Sequence, residues 1–287
     1  MEQWYRDNHA NGVELHFNID KNIYSVKSKI QQIDIIESKE FKRMLVINGK
    51  LIHAEKDEFI YHEMMTHIPM AVNPDIADVL VIGVGNGGII NQLVKYKKIK
   101  SITVLESDET LLSVIKEYMP RCTAGLSDPR VSVEICDDMK YTRSVSDKFD
   151  LIIMDIPDPF GRGENYFTKE YFGKCYTCLR KDGILINQHE SCFYDEHIPA
   201  SQKAHINSVK VFEVSKVFQA SITSYPSGYW LFGFSSKKFH PLRDLKAKEW
   251  QKLQIPTTYY NTNLHVGAFA LPTYVENILK AVEVTTG

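Results

Sequence analysis

Val79-Leu80-Val81-Ile82 is an apolar run with no polar alternation, and it breaks at Gly83-Val84-Gly85-Asn86-Gly87-Gly88. A strand without a polar face is buried on both sides, so something must cover each face. The glycines permit a sharp strand-to-helix turn and let a ligand come close to the backbone. The same rhythm recurs downstream, with strands predicted at 101–105, 131–135, 151–154 and 184–187 and helices at 89–96 and 109–118. Repeated strand–helix units predict an α/β fold around a doubly wound parallel sheet, with the ligand at the carboxyl ends of the strands. The glycine spacing is not G-x-G-x-x-G, and no GK[ST] follows for a P-loop. Taken alone, the turn suits NAD, FAD or S-adenosylmethionine-type ligands, or is a tight turn with no ligand.

The first seventy residues read differently. Short β-type runs, Gln32-Ile33-Asp34-Ile35-Ile36 and Arg43-Met44-Leu45-Val46-Ile47, lead into Asn48-Gly49, a strong hairpin signal. From Asp57 the pattern turns helical and Pro69 is expected to close it. The reading is thus an N-terminal β-strand domain with a closing helix over 1–70 and a Rossmann-like α/β domain over 71–287. Residues 217–236 carry no charge but include Gln219, Pro226 and several serines, which predicts buried strands and a turn rather than a membrane span.

The 34 Lys and Arg nearly balance the 36 Asp and Glu, so no basic footprint for nucleic acid is present. Five scattered cysteines are too few for a disulfide framework in 287 residues. Cys175 and Cys178 form a CxxC without a second pair and are expected simply to share a helix face. His62 and His67 lie five apart, whereas HExxH needs four, so no metal is expected. The N-terminus has no signal-peptide pattern, and the expected compartment is the cytoplasm.

Acidic residues cluster where the strands end. Glu106 closes the second strand, where a carboxylate accepts from ribose hydroxyls. Asp137 and Asp138 follow the third strand, placed to reach an adenine amine, although Asp138 equally suits a helix cap. Asp155-Ile156-Pro157-Asp158-Pro159 ends the fourth strand with two carboxylates stiffened by prolines, suiting a cationic ligand or a proton acceptor. Residues 160–166 read as a mobile loop able to close over the site.

These pieces, in this order, resemble the polyamine aminopropyltransferases, the spermidine synthase family, over residues 31–279. Asp57-Glu58-Phe59-Ile60-Tyr61-His62-Glu63-Met64 resembles the family's DEF-x-YHEM, and the glycine turn its GGGDGG. Asp155 to Pro159 resembles D-S-x-D-P, and Ser224-Tyr225-Pro226-Ser227-Gly228 resembles TYPSG. Tyr259-Tyr260-Asn261 with His265, Phe269, Leu271 and Pro272 is similar to the C-terminal YYN-x-x-x-H-x-x-x-F-x-L-P. The resemblance implies a Rossmann-like doubly wound sheet of the class I methyltransferase type with a small N-terminal antiparallel β domain. It implies transfer of the aminopropyl group of decarboxylated S-adenosylmethionine to putrescine or a similar amine, giving spermidine and methylthioadenosine. No cofactor is implied beyond that co-substrate, and a homodimer or homotetramer is.

By the same resemblance, Asp155 is the catalytic base. Gln31, Gly83, Gly85, Asn86, Glu106, Asp137 and Asp138 contact the donor nucleoside, and Tyr61, His62, Asp155, Asp158 and Tyr225 the amine acceptor. The chain departs from the family at Asn86, where an aspartate holds the donor's ammonium, and at Asp138, where a glycine is usual. It also departs at Ile156-Pro157 and at Asn48. Asn86 leaves two other readings open: a methyl- or aminocarboxypropyltransferase using S-adenosylmethionine itself, and a non-catalytic homologue that binds a nucleoside or polyamine.

Overall fold

A computed structural model describes residues 3–156, 159 and 161–284 of the chain. Six strands come first: β1 (Gln3–Ala10), β2 (Val13–Ile19), β3 (Lys21–Lys27), β4 (Gln32–Ser38), β5 (Lys42–Ile47) and β6 (Lys50–Ala54). Helix α1 (Glu58–Val72) leads into β7 (Asp78–Ile82), α2 (Gly88–Leu93), β8 (Ser101–Glu106), α3 (Glu109–Tyr118) and α4 (Pro120–Thr123). Then come β9 (Val131–Ile135), α5 (Asp138–Ser144), β10 (Phe149–Met154), α6 (Lys169–Cys178) and β11 (Leu179–Glu190). The chain ends with α7 (Ile198–Val209), β12 (Val214–Ser221), β13 (Tyr229–Ser236), α8 (Ala247–Lys252), α9 (Thr262–Ala268) and α10 (Thr273–Val284).

The central sheet has seven strands in the order β12-β13-β11-β10-β7-β8-β9. It is doubly wound, as expected, but not wholly parallel: β13 runs against both β11 and β12, because a tight turn rather than a crossover joins β12 to β13. Alternate residues of the apolar strands enter different cores. Val79 and Val81 face one cluster with Leu151 and Ile153, while Leu80 and Ile82 face another with Ile152 and Met154. Strand β7 lies between β8 and β10, so the winding reverses there and opens a crevice at the strands' carboxyl ends.

Strands β3 to β6 form a separate antiparallel sheet, and β1 pairs with β2 as a hairpin. Strand β1, with its mixed polar sequence, was not among the strands expected from the pattern. Helix α1 lies between this small sheet and the large one. Ile33, Ile35 and Leu45 share one cluster with Tyr61, Met64 and Ile68 of α1 and with Val79 and Val81 of β7. Pro69 does not close α1, which continues to Val72, the Asn73 N–H donating to the Pro69 carbonyl at 2.9 Å. A proline in the last turn loses only the bond back to residue 65, and burial of Met70, Ala71 and Val72 outweighs that.

Residues 161–167 form 3-10 turns rather than an open loop, with Phe167 buried and the Tyr166 hydroxyl donating to Asp138 Oδ2 at 2.8 Å. Cys175 and Cys178 share the buried face of α6, and all five thiols are free.

Because α1 is enclosed, the carboxyls on it and just before it find partners within the protein. Glu63 accepts from the backbone N–H groups of Thr258, Tyr259 and Tyr260, each at 2.8 Å. Asp57 accepts from the Ser224 N–H at 2.7 Å and its hydroxyl at 2.9 Å. His67 Nδ1 and Trp250 Nε1 both meet the Tyr96 hydroxyl, at 2.6 and 2.8 Å. Glu63→Ala strips three backbone donors of their acceptor, and the one fully buried, the Tyr260 N–H, costs about 1–3 kcal/mol if left unmade. The expected result is a fall of at least about 2 kcal/mol in urea-unfolding stability, with Glu63→Gln losing less. Equal midpoints for wild type and Glu63→Ala would show that the three N–H groups have other acceptors.

Candidate active site

The crevice above β7 and β10 brings the glycine turn against Asp155. The Asp155 N–H donates to the Ile82 carbonyl at 2.8 Å, continuing the ladder one residue past β10. Gly83 and Gly85 have φ of 86° and 53°. A Cβ on Gly83 would overlap the Asp155 carbonyl, and one on Gly85 would overlap its carboxylate. Both glycines are therefore required by the close approach as well as by the backbone. The Tyr61 hydroxyl of α1 donates to the Asp155 carboxyl. Burial pushes that carboxyl up to about 7; the Tyr61 bond offsets some of this and the nearby Glu106 charge adds to it.

Glu106 ends β8 facing the same turn. Its oxygens accept from the Val84 N–H at 3.1 Å and the Asp108 N–H at 2.7 Å, and burial raises its pKa despite these bonds. Gln31 is half-buried on the loop before β4. The Ser28 hydroxyl donates to the Gln31 carbonyl and also contacts Asp108 at 2.7 Å, tying the loop before β4 to the end of β8. Next to Glu106 a cavity of about 390 Å³ is lined by Ser107, Cys136, Asp137, Asp138, Met139 and Tyr166. Asp137, not Asp138, caps α5, accepting from the Lys140 N–H at 3.1 Å. Asp138 is buried, and desolvation raises its pKa while the Tyr166 bond lowers it.

Asn86 sits at the turn wholly enclosed. Its Oδ1 accepts from the Gly88 N–H at 3.0 Å, and its amide donates to Glu58 of α1. The Cys122 thiol donates to the other Glu58 oxygen at 2.8 Å. Burial raises Glu58 to about 7, and its bonds from Cys122 and Asn86 temper the shift. The His62 ring backs Gly88 so closely that a Cβ there would strike it, and burial drives its pKa well down. Tyr225 donates to the Ile52 carbonyl at 2.7 Å and packs on Trp230. Asp158 lies outside the described residues.

The structure thus gathers Tyr61, Gly83, Gly85, Glu106 and Asp155 at one point, with Asp137 and Asp138 along the adjoining cavity and Gln31 on the loop that Ser28 ties to Asp108. His62 and Asn86 stand behind the glycine turn. Sequence reasoning missed Glu58, Cys122 and Tyr166. Glu58 was in view inside the DEF motif; Cys122 and Tyr166 had no signal, since each meets its carboxylate only through the fold. Chemically, the crevice holds several carboxyls whose ionisation burial opposes, so a cation that enters it is attracted and lowers their pKa values.

A family model described as the spermine/spermidine synthase domain matches residues 58–247, and one described as the spermidine synthase tetramerisation domain matches residues 3–55. A polyamine aminopropyltransferase of Clostridium beijerinckii is 49% identical, covering 98% of this chain and 99% of its own. One of Lachnoclostridium phytofermentans is 50% identical, covering 99% and 100%. Among solved structures, a spermidine synthase in complex with the transition state analogue AdoDATO superposes with a TM-score of 0.94 at 34% identity, over 97% of this chain and 95% of that one. Spermidine synthase from Thermotoga maritima gives 0.92 at 34%, over 97% and 94%. Sequence, fold and the arrangement of carboxyls around the glycine turn agree, and the chain belongs to the spermidine synthase family.

Proposed function

We propose that this protein transfers the aminopropyl group of decarboxylated S-adenosylmethionine to putrescine or a similar amine, forming spermidine and methylthioadenosine. The observation that carries the reading is Asp155: a carboxyl at the strand edge, enclosed by the glycine turn, oriented by Tyr61 and raised to about 7. A free amine with a pKa near 10.4 is almost wholly protonated at neutral pH and has no lone pair to offer. The Asp155 carboxylate takes that proton. The nitrogen lone pair then forms the new bond to the carbon beside the sulfonium, the carbon–sulfur bond breaks, and its electrons neutralise sulfur. Holding the two reactants in line supplies much of the acceleration.

Glu106 is suited to the donor's ribose hydroxyls, with Gln31 assigned there by family resemblance and Asp137 and Asp138 around the base. Tyr61 and Asp155 face the acceptor, with Asp158 and Tyr225 assigned there by family resemblance. Asn86 spends both ends of its amide on the protein, which favours a role in holding the turn to Glu58. The match of residues 3–55 to a tetramerisation model supports a homodimer or homotetramer. No described helix is long and apolar enough to cross a membrane, and five free thiols fit a cytoplasmic setting.

The direct test mixes the purified protein with the decarboxylated donor and a panel of diamines, with mass spectrometry of the products. Aminopropyl adducts together with methylthioadenosine are expected; binding of S-adenosylmethionine with neither product would sink the reading.

The pH dependence follows from Asp155. As a base it works only when ionised, so kcat/KM rises with pH to a plateau above about 7. A bound cation lowers the pKa, so the limb in kcat falls at lower pH than that in kcat/KM. Asp155→Asn should cost roughly 10²–10⁴-fold in turnover and abolish the limb. For stability the sign is opposite. Between the ordinary value of 3.8 and about 7 the folded chain holds a proton that the unfolded chain has lost, so this group's contribution declines as pH rises through that window. Glu58 acts with the same sign between 4.5 and about 7. Urea unfolding of Asp155→Asn at pH 5 and pH 8 should therefore show a smaller loss across the interval than wild type, and an unchanged loss would place the titration elsewhere.

Asn86→Asp sets a carboxyl against Glu58 in place of the amide that donates to it. The turn should loosen, and the decarboxylated donor should bind roughly tenfold more weakly by calorimetry, as loss of about one charge-assisted hydrogen bond would give. An unchanged affinity would mean that the Asn86–Glu58 contact does not hold the turn.

A further inference from the structure

Away from the glycine turn, three side chains of metal-binding type converge. His9 of β1, Glu190 at the end of β11 and His197 just before α7 offer ligand atoms that all lie within 4.8 Å of one another. His9 Nε2 stands 3.4 Å from Glu190 Oε1, and His197 Nδ1 stands 4.0 Å from the same oxygen. All three are buried, with exposures of 8%, 0% and 5%. We propose that His9, Glu190 and His197 bind a divalent transition-metal ion, zinc by preference, which clamps the N-terminal hairpin to the edge of the central sheet.

The donor set carries the choice of metal. Two imidazoles and one carboxylate are ligands that zinc takes readily in a tetrahedral site, with the fourth position left to water. Bonds of about 2.0–2.1 Å put tetrahedral ligand atoms roughly 3.4 Å apart. The His9–Glu190 separation already has that value, and the other separations do not exceed 4.8 Å.

The surroundings have the form of an outer shell. The far nitrogen of His197, Nε2, faces Glu196 Oε1 at 3.6 Å, and that oxygen accepts from the Asn11 N–H at 2.7 Å. A carboxylate behind a ligating imidazole fixes its tautomer and raises its basicity. The Tyr194 ring lies edge-on to both imidazoles, 5.4 Å from His9 and 5.9 Å from His197, walling the cluster with an aromatic. Glu190 itself has a left-handed backbone, with φ of 63°, a strained conformation that aims its carboxyl. The ligands come from three separate elements, so an ion among them ties the β1–β2 hairpin to β11. Two residues before Glu190, Gln188 donates to the carbonyl of Ile156, the neighbour of Asp155, at 3.2 Å. The clamp thus secures the strand end beside the active site without touching the reacting atoms.

The test uses the full chain, stripped with a chelator and titrated with Zn²⁺ by calorimetry and with Co²⁺ by visible absorption. The expected result is one equivalent per chain, with the intense bands of a low-coordinate cobalt ion, and a chelator-sensitive thermal midpoint. His9→Ala and His197→Gln should each weaken binding by more than roughly 100-fold, the upper range for losing an outer-shell partner alone. Absence of a stoichiometric site in the unsubstituted protein overturns the proposal whatever the variants do. So does binding that survives both substitutions, or displacement of cobalt by saturating putrescine, which would assign the cluster to an organic ammonium. These readouts do not involve turnover, so they stand or fall apart from the aminopropyl-transfer reading.

Discussion

A helix with no solvent-facing side has to find partners for its carboxyls from within, and α1 is such a helix from Ile60 to Val72. An ionised carboxylate taken out of water is costly unless donors surround it. Glu63 meets this with three backbone N–H groups, and Asp57, just before the helix, with both donors of Ser224. These bonds fix the rotation and height of α1 between the two sheets. Tyr61, Glu58 and His62 lie on the same helix, so their positions at the glycine turn are set by the bonds of their neighbours. The active site is held from behind.

At the turn itself, loss of hydration outweighs every other influence on the carboxyls. Asp155, Glu106 and Glu58 are all pushed up first by burial, and hydrogen bonds only temper the effect. A cation entering the crevice favours ionisation of these carboxyls, and their charge in turn holds it. A neutral product such as methylthioadenosine gives little in return, which favours its release.

The strands and the glycine turn were legible because burial on both faces leaves an unmistakable apolar run, as at residues 79–82, and because few residue types tolerate a backbone like that of Gly85. The order of the motifs was legible too. Their division of labour was not. Asp57, Glu63 and Ser224 belong to motifs that read as a binding site, yet their bonds are internal. Pro69 misled because helix signals are local, while the packing that carries α1 past it is not. Asp137 and Asp138 could not be ranked as caps without the geometry of α5. His9, Glu190 and His197 have no sequence spacing in common, since only the placement of the hairpin against β11 brings them together.

The partners of α1 lie far along the chain. Asp57 waits for Ser224, and Glu63 for residues 258–260, the first of them 195 positions further on. Domains otherwise complete themselves from the amino end during synthesis. Here the small sheet and α1 can form early, but two buried acids remain unsheltered until those distant segments arrive. The nascent chain therefore cannot lock α1 in place until the ribosome has passed Tyr260, and a product truncated before Thr258 carries an unprotected Glu63 in its core.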